Sequence, residues 1–546
     1  FMTEFVDGAA TGIVNLGGDV RPAMMVISNT TLPYVLAWGR IVTDSIRKLG
    51  TGTVSRVEAA ADQVREVELN EGSLVISQSL ADVTMTSVLT DTSAGGGALV
   101  KQGTSMLTIG STNGTYDGAI LVQEGVLRVG AVGALGSTNG TVTILPGASL
   151  DVNDIQSPHK PVIVSGTGFN GQGAITELSG IASVQHNLTD VTLAGDTAFG
   201  CAAGGRWDIR VRSGSGVGPG LRGNGFNLTK VGPGTVSIAC QRHDYGVPVP
   251  YWEMNLGDVV IAEGGLTFAE SLSLGNPART ITIAAGATLG TYDLNVTNPI
   301  VRTILMTDAT ISSGGGAGDT NLFTGTIQLA GINHFRVNGD TRMIIQGPIV
   351  GAGSVRYSDA GGGMLLLNGD NTYAGDTVVT NGTLSGGGSI AGSLVMLGGT
   401  NSPGWGVGVF TVSGDAVLAG TTRMELAPGQ AISSDSLRVG GSLVFGGELV
   451  VVLAPGAAQP KAGDKYPLFS KGGSGAFASV HLPDISGLPG GLSWNLDNLA
   501  VDGTLSVNGT AATPAIAATF IADGNLVFTG DGGIEGGAYH VLSATN

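Results

Sequence analysis

The stretch of this chain best equipped for chemistry is Gln241 to Asn255, QRHDYGVPVPYWEMN. It gathers Arg242, His243, Asp244, Tyr245, Tyr251, Trp252 and Glu253 in a chain that is only 12% charged and 5% aromatic. Charged and aromatic side chains on one projecting segment are what a contact with a glycan or a surface protein uses. The other reading is an arm folded back over its own scaffold, burying Tyr251 and Trp252. Just before it stands Cys240, 39 residues after Cys201. A bridge between them needs Cα atoms within about 7 Å. A disulfide and two separate thiols both remain open from the sequence.

Carboxylates come next. Asp151 with Asp154, or Asp359 with Asp370 and Asp376, could line one face and serve acid–base work or hold Ca²⁺. Asp is also a turn residue, whose side chain accepts hydrogen bonds from nearby backbone N–H groups. The six histidines, His159, His186, His243, His334, His481 and His540, show no metal-ligand spacing. Neither a nucleophile elbow nor a phosphate-binding loop stands in a strand–turn–helix context. We therefore assign no catalytic, cofactor or metal residues, expect no cofactor, and do not read the chain as an enzyme.

A repeated element must position whatever sites exist. In Met364 to Leu384, MLLLNGDNTYAGDTVVTNGTL, two short β-branched or leucine runs are each broken by an Asn-Gly turn. Gly375 precedes Gly382 by seven residues and Leu384 follows by two. Gly118, Gly125 and Leu127 repeat that spacing, with Tyr116 where Tyr373 stands, and so do Gly257, Gly264 and Leu266. Gly72 and Leu74 form a degenerate copy. A Lys-x-Gly landmark lies upstream: Lys48 and Lys101 each precede their anchor glycine by 24 residues, and Lys230 precedes Gly264 by 34. The copy at Gly382 has no such lysine. Glycines at 125, 136 and 147, and at 264, 275 and 286, recur every eleven residues. The implied coil is about 22 residues with a turn near each half, the scale of a β-solenoid rung. Alternation then predicts that Val259, Ile261, Leu266, Ile281, Ile283 and Leu289 point inward in stacked positions. At Val57 to Leu69 an amphipathic helix competes with a strand pair.

Composition agrees. The chain has 546 residues, long for one globular core but natural for a solenoid. It holds 93 glycines without a collagen period. The net charge of −17 argues against nucleic acid, whose binders carry basic stripes. No apolar run is long enough for a membrane-spanning helix. The start FMTEFVDG lacks a leader pattern, so an exported protein would have had its signal peptide removed.

The unit TYAGDTVVTNGTL, together with LTKVGPGTV at Leu228 to Val236, resembles the autotransporter-associated β-strand repeat of secreted bacterial passengers. Val412 to Leu482, with LAGTTRMEL, SDSLRVGG and AGDKYPLF, resembles the C-terminal cap of such passengers. The resemblance implies a right-handed parallel β-helix (β-solenoid) with a C-terminal β-rich cap. The expected organisation is a solenoid over 1–400, with repeat units near 46–94, 95–152, 228–294 and 353–400. A β cap over 401–508 follows, with Gly440-Gly441 and Gly446-Gly447 punctuating hairpins, then a linker and partial small β domain over 509–546. No translocating barrel is expected in those last residues. The implied role is an extracellular or cell-surface structural or adhesive protein. Separately, a solenoid exposes strand edges at its terminal rungs, so self-association head to tail through terminal strands is expected. The alternatives are a polysaccharide-cleaving lyase or hydrolase, or a glycan-binding protein, on the same scaffold.

Overall fold

The computed structural model describes residues 2–8, 11–57, 62–92, 95–156, 160–183, 187–210, 220–240, 252–270, 272–359, 361–510, 515–522 and 525–531. Two compact units follow one another, Phe1–Gly347 and Pro348–Asn546. Apart from a 3-10 turn at Phe169–Gly171, every regular element among the described residues is a strand. The fold is all-β, and its strands stack in parallel, turn upon turn, as a β-solenoid.

In the first unit the strands Val259–Ile261, Thr280–Ile283, Thr303–Thr307 and Ile327–Ala330 form one ladder. Val259, Ile281, Ile304 and Ile327 are successive partners, so a coil here is 22 or 23 residues. That is the period set by the glycines. Gly265–Glu270, Thr288–Tyr292, Thr310–Gly314 and Ile332–Val337 form a second ladder of the same coils. The six predicted core residues are all buried, and they pair as Val259 with Ile281, Ile261 with Ile283 and Leu266 with Leu289. Successive side chains of a strand alternate in direction, so one apolar ladder per strand fills the interior.

Residues 63–69 settle the competition near Val57 in favour of a strand. Gln63–Leu69 pairs in parallel with Arg40–Leu49 and Val88–Thr90, burying Val64 and Val67. Ladders offered by the rungs on both sides override the local helical pattern. Residues 58–61 lie outside the described residues.

The anchor glycines meet two different demands. Gly125 has φ 70°, in the left-handed region that turns the chain from Ile120–Val122 into Gly125–Val129. Gly118 has no such φ, but a Cβ there would lie 2.1 Å from the Gly97 carbonyl oxygen one coil away.

Lys-x-Gly turns out to be an internal cap. Lys101 is fully buried, and its Nζ donates to the carbonyls of Gln102 at 2.8 Å, Gly103 at 2.5 Å and Glu124 at 3.0 Å. Lys230 does the same to Val231 at 2.9 Å, Gly232 at 2.6 Å and Glu263 at 3.2 Å. Lys48 caps Leu49 and Gly50. The carbonyls of Gln102 and Val231 also accept a backbone N–H from the neighbouring coil, from Gln78 and Cys201, whereas those of Gly103, Glu124, Gly232 and Glu263 stand at the corners beyond the strands, and a buried carbonyl needs a donor. Lys160, also buried, sits 5.0 Å from the Tyr116 ring centroid. Burial pushes all four ammonium groups down to about 8. They are the only lysines in residues 1–347.

In the second unit Met364–Leu367, Thr383–Gly386, Thr400–Pro403, Thr421–Leu426, Glu448–Leu453 and Ser479–His481 continue the parallel stacking. Gly440-Gly441 and Gly446-Gly447 do not make hairpins: Leu443–Phe445, which they flank, pairs in parallel with Ala416–Leu418. The glycines turn corners within a coil instead. Lys465–Pro467, Thr504–Asn508 and Ser493–Asn495 form a small antiparallel sheet, and Ala515–Ala522 pairs antiparallel with Asn525–Asp531.

Candidate functional site: a polar groove across six strands

Within the first unit, Arg206–Arg210, Thr235–Cys240, Gly265–Glu270, Thr288–Tyr292, Thr310–Gly314 and Ile332–Val337 lie side by side in register. Their inward positions carry Trp207, Val236, Leu266, Leu289, Ile311 and Phe335, all buried. By alternation the outward positions form columns. One runs Arg206, Thr235, Gly265, Thr288, Thr310, His334; the next runs Asp208, Ser237, Thr267, Gly290, Ser312, Arg336. Small hydroxyl and glycine residues leave a groove of about 610 Å³ along this face, lined also by Arg206, Arg210, Tyr292 and Asn338. Five of these strands line it, and at about 4.8 Å spacing they give it a length of about 20 Å.

Charge in the groove is concentrated at one end and compensated. Arg206 grips the fully buried Asp208 carboxylate with two bonds, Nε to Oδ1 at 2.8 Å and Nη2 to Oδ2 at 2.9 Å. Arg210 lies 3.3 Å from the other side of that carboxylate and 3.7 Å from Glu270. Tyr292 stands half exposed at the groove wall. Ser237 is 1% exposed, lines the groove, and its hydroxyl has no hydrogen-bond partner.

The sequence-predicted contact segment leaves from this same sheet. Arg242, His243, Asp244, Tyr245 and Tyr251 lie outside the described residues. Of Trp252 and Glu253 the backbone is described: it forms a short strand parallel to Leu272–Ser273. The side chains of all seven lie outside what the structure describes, and a contact role for them stays a proposal. Groove residues were absent from the sequence reading, although the signal was present: the outward letters of TVS, GLT, TLG and TIS are all Thr, Ser or Gly in consecutive coils.

The Cys201 sulfur is buried, and as a thiol it would be pushed by that burial up to about 12. The side chain of Cys240 lies outside the described residues. The pairing is therefore a proposal with a direct check. Under denaturing alkylation without reductant, an unchanged mass is expected if the bridge forms, and two added alkyl groups would eliminate it.

Four of the five candidate carboxylates are engaged within the fold itself. Asp151 is buried, pairs with Arg128 at 2.6 Å and accepts the N–H groups of Asn153 and Leu178. Asp154 accepts from Ser183, Asp359 from the N–H groups of Gly361, Gly362 and Gly363, and Asp370 from Ser389. His481 pairs with Glu448 at 2.8 Å. Among the described residues no three His, Cys, Asp or Glu side chains gather as a metal site.

Comparison with known proteins adds the family context. Residues 99–129 and 359–385 match the family described as passenger-associated-transport-repeat. These are the copies anchored on Gly125 and Gly382; the copy with the insertion lies outside the matched residues. Over 176 residues the chain is 30% identical to the adhesin BmaC autotransporter of Brucella suis biovar 1 (strain 1330), a match covering 30% of this chain and 5% of that protein. The chain is a β-solenoid of which two stretches, 99–129 and 359–385, match the passenger-associated-transport-repeat.

Proposed function

We propose that this chain is the displayed part of an exported, non-enzymatic bacterial surface protein with a structural and adhesive role. The observation that carries the reading is the pair of passenger-associated repeats at 99–129 and 359–385. Similarity to an autotransporter adhesin supports the adhesive part. The engagement of Asp151, Asp154, Asp359 and Asp370 by the fold's own turns and neighbouring coils supports a scaffold without hydrolase or lyase chemistry. The test is two-sided. Protease shaving and antibody labelling of intact cells of the native host are expected to reach the chain, and beads coated with it are expected to adhere to host or abiotic surfaces. Retention inside the cell, or depolymerisation of an acidic polysaccharide by the purified chain with Ca²⁺, would overturn the reading.

The finer reading is head-to-tail self-association by strand addition. Two observations favour it. Met2–Val6 pairs with Met24–Ser28, and Ala515–Ala522 and Asn525–Asp531 pair with each other. Such a two-stranded element is marginal without further partners. Sedimentation and negative-stain microscopy of the chain, beside versions lacking 1–16 or 510–546, are expected to show polymers that shorten on either deletion. A chain monomeric at high concentration would sink the idea.

A further inference from the structure

We infer that the groove over residues 206–338 is a binding site for a linear glycan, laid along the solenoid axis across successive coils. The inference rests on the adhesive reading above and gives it a ligand class.

Four observations converge on it. First, the face is not an edge. Thr235–Cys240 pairs on one side with Arg206–Arg210 and on the other with Gly265–Glu270, and the next strands pair likewise through to Ile332–Val337. Backbone donors and acceptors are therefore consumed within the ladders, so an extended peptide cannot add as a strand. A ligand must be read by side chains.

Second, those side chains suit a polyol. Thr235, Ser237, Thr267, Thr288 and Ser312 present hydroxyls, each able to donate and to accept, as a sugar hydroxyl also does. They recur at the rung spacing of about 4.8 Å. This is close to the advance per residue of an extended pyranose chain, so the same contact can recur from one sugar to the next.

Third, the charges that line the groove do not call for a polyanion. Arg206 and Arg210 are held by Asp208 and Glu270, leaving little net positive charge. Arg206 uses Nε and Nη2 on Asp208. The pair remains a rigid polar wall against which sugar hydroxyls can bond. Tyr292 supplies an exposed aromatic ring on the same face, and a pyranose carries an apolar C–H face that packs on such a ring.

Fourth, Ser237 is buried without a partner in the groove lining. A buried hydroxyl is normally satisfied, and an orphan calls for an explanation. A ligand hydroxyl supplies one.

The test measures binding of soluble linear oligosaccharides to the full chain by calorimetry: a neutral β-linked glucan, a neutral xylan fragment and an acidic oligogalacturonate. Binding of at least one neutral probe is expected. Tyr292→Ala is expected to weaken it about tenfold or more, and Ser312→Trp, which fills the groove from an outward position, to abolish it. Thr282→Trp, outward on the other ladder of the coil that carries Tyr292, is expected to leave it unchanged. Circular dichroism melting of each variant separates loss of binding from loss of fold. Preference for the acidic probe over both neutral ones would overturn the charge argument. No binding at millimolar concentration, or binding that survives both groove variants, would overturn the site. A chain displayed on cells but blind to these glycans loses only this inference; one that binds them but stays inside the cell loses the surface role instead.

Discussion

Ile283→Asp is expected to unfold the middle of the first unit at room temperature. Ile283 is buried, and its ladder neighbours are Ile261 in the preceding coil and Met306 in the following one. A carboxylate there would have no cation, no backbone donor and no water. Isolated buried charges cost many kcal/mol, and even after protonation the loss of Ile packing adds about 2–4 kcal/mol. Against a typical net stability of about 5–15 kcal/mol this is decisive. Ile261→Asp should be milder, because its partner in the preceding coil is Lys230, whose buried ammonium is within one rung. Ile283→Val should cost only about 1 kcal/mol. Urea unfolding followed by hydrogen exchange checks the order. Protection should collapse first in the coils around 259–307, since each coil contacts chiefly its neighbours. Equal stability of the wild type and Ile283→Asp would mean the register is wrong.

The solenoid was legible because its cause is local and repeated. Gly125, Gly264 and Gly382 each sit at φ between 66° and 80° in the same turn, and a turn that only glycine adopts readily leaves its mark in the sequence. Leu127, Leu266 and Leu384 are buried two residues later for the same geometric reason. What stayed hidden depends on register across coils. The copy at Gly382 looked as though it had lost its lysine, because residue 358 is Ser. In the fold, Lys101 pairs with Val122 and Lys230 with Ile261, each partner three residues before its anchor glycine. The residue paired with Val379, three before Gly382, is Tyr357. Its buried hydroxyl donates to the Gly363 carbonyl at 2.9 Å. A neutral donor has replaced a charged one, and a one-residue change in spacing concealed the substitution. The groove escaped notice for a related reason. Thr235, Thr267, Thr288 and Ser312 are ordinary strand residues one at a time. Only stacking makes them one surface, while the conspicuous cluster around Tyr245 drew attention through composition alone.

Lys101→Met should cost the first unit about 3 kcal/mol near neutral pH, despite removing a buried charge. Methionine matches the lysine stem in length and apolar character, so packing is nearly conserved. The change deletes the donor shared by the carbonyls of Gln102, Gly103 and Glu124; Gln102 keeps the N–H of Gln78, and the other two are stranded. Each stranded carbonyl costs about 1–3 kcal/mol, and relief from desolvating the ammonium offsets part of the sum. In a buried ion pair both partners can be exchanged for apolar groups. Here the acceptors are main chain and stay whatever the side chain becomes, so the balance falls on the side of loss. The pH dependence gives a second, independent reading. Lys101 is lowered from 10.5 to about 8 by burial. Between those values the unfolded chain binds the proton and the folded chain does not, so this group makes the fold more stable as pH rises through 8 towards 10.5. The variant lacks that gain. Its deficit relative to the wild type should therefore widen between pH 7.5 and pH 9.5, while effects shared by both proteins, such as growing net negative charge, cancel in the difference. Urea midpoints of the two proteins at both pH values decide it. A variant as stable as the wild type at pH 7.5 would show that the corner carbonyls do not need the ammonium. A deficit that narrows with pH would show that the folded state holds its proton more tightly than the unfolded one, with the three carbonyl bonds outweighing desolvation.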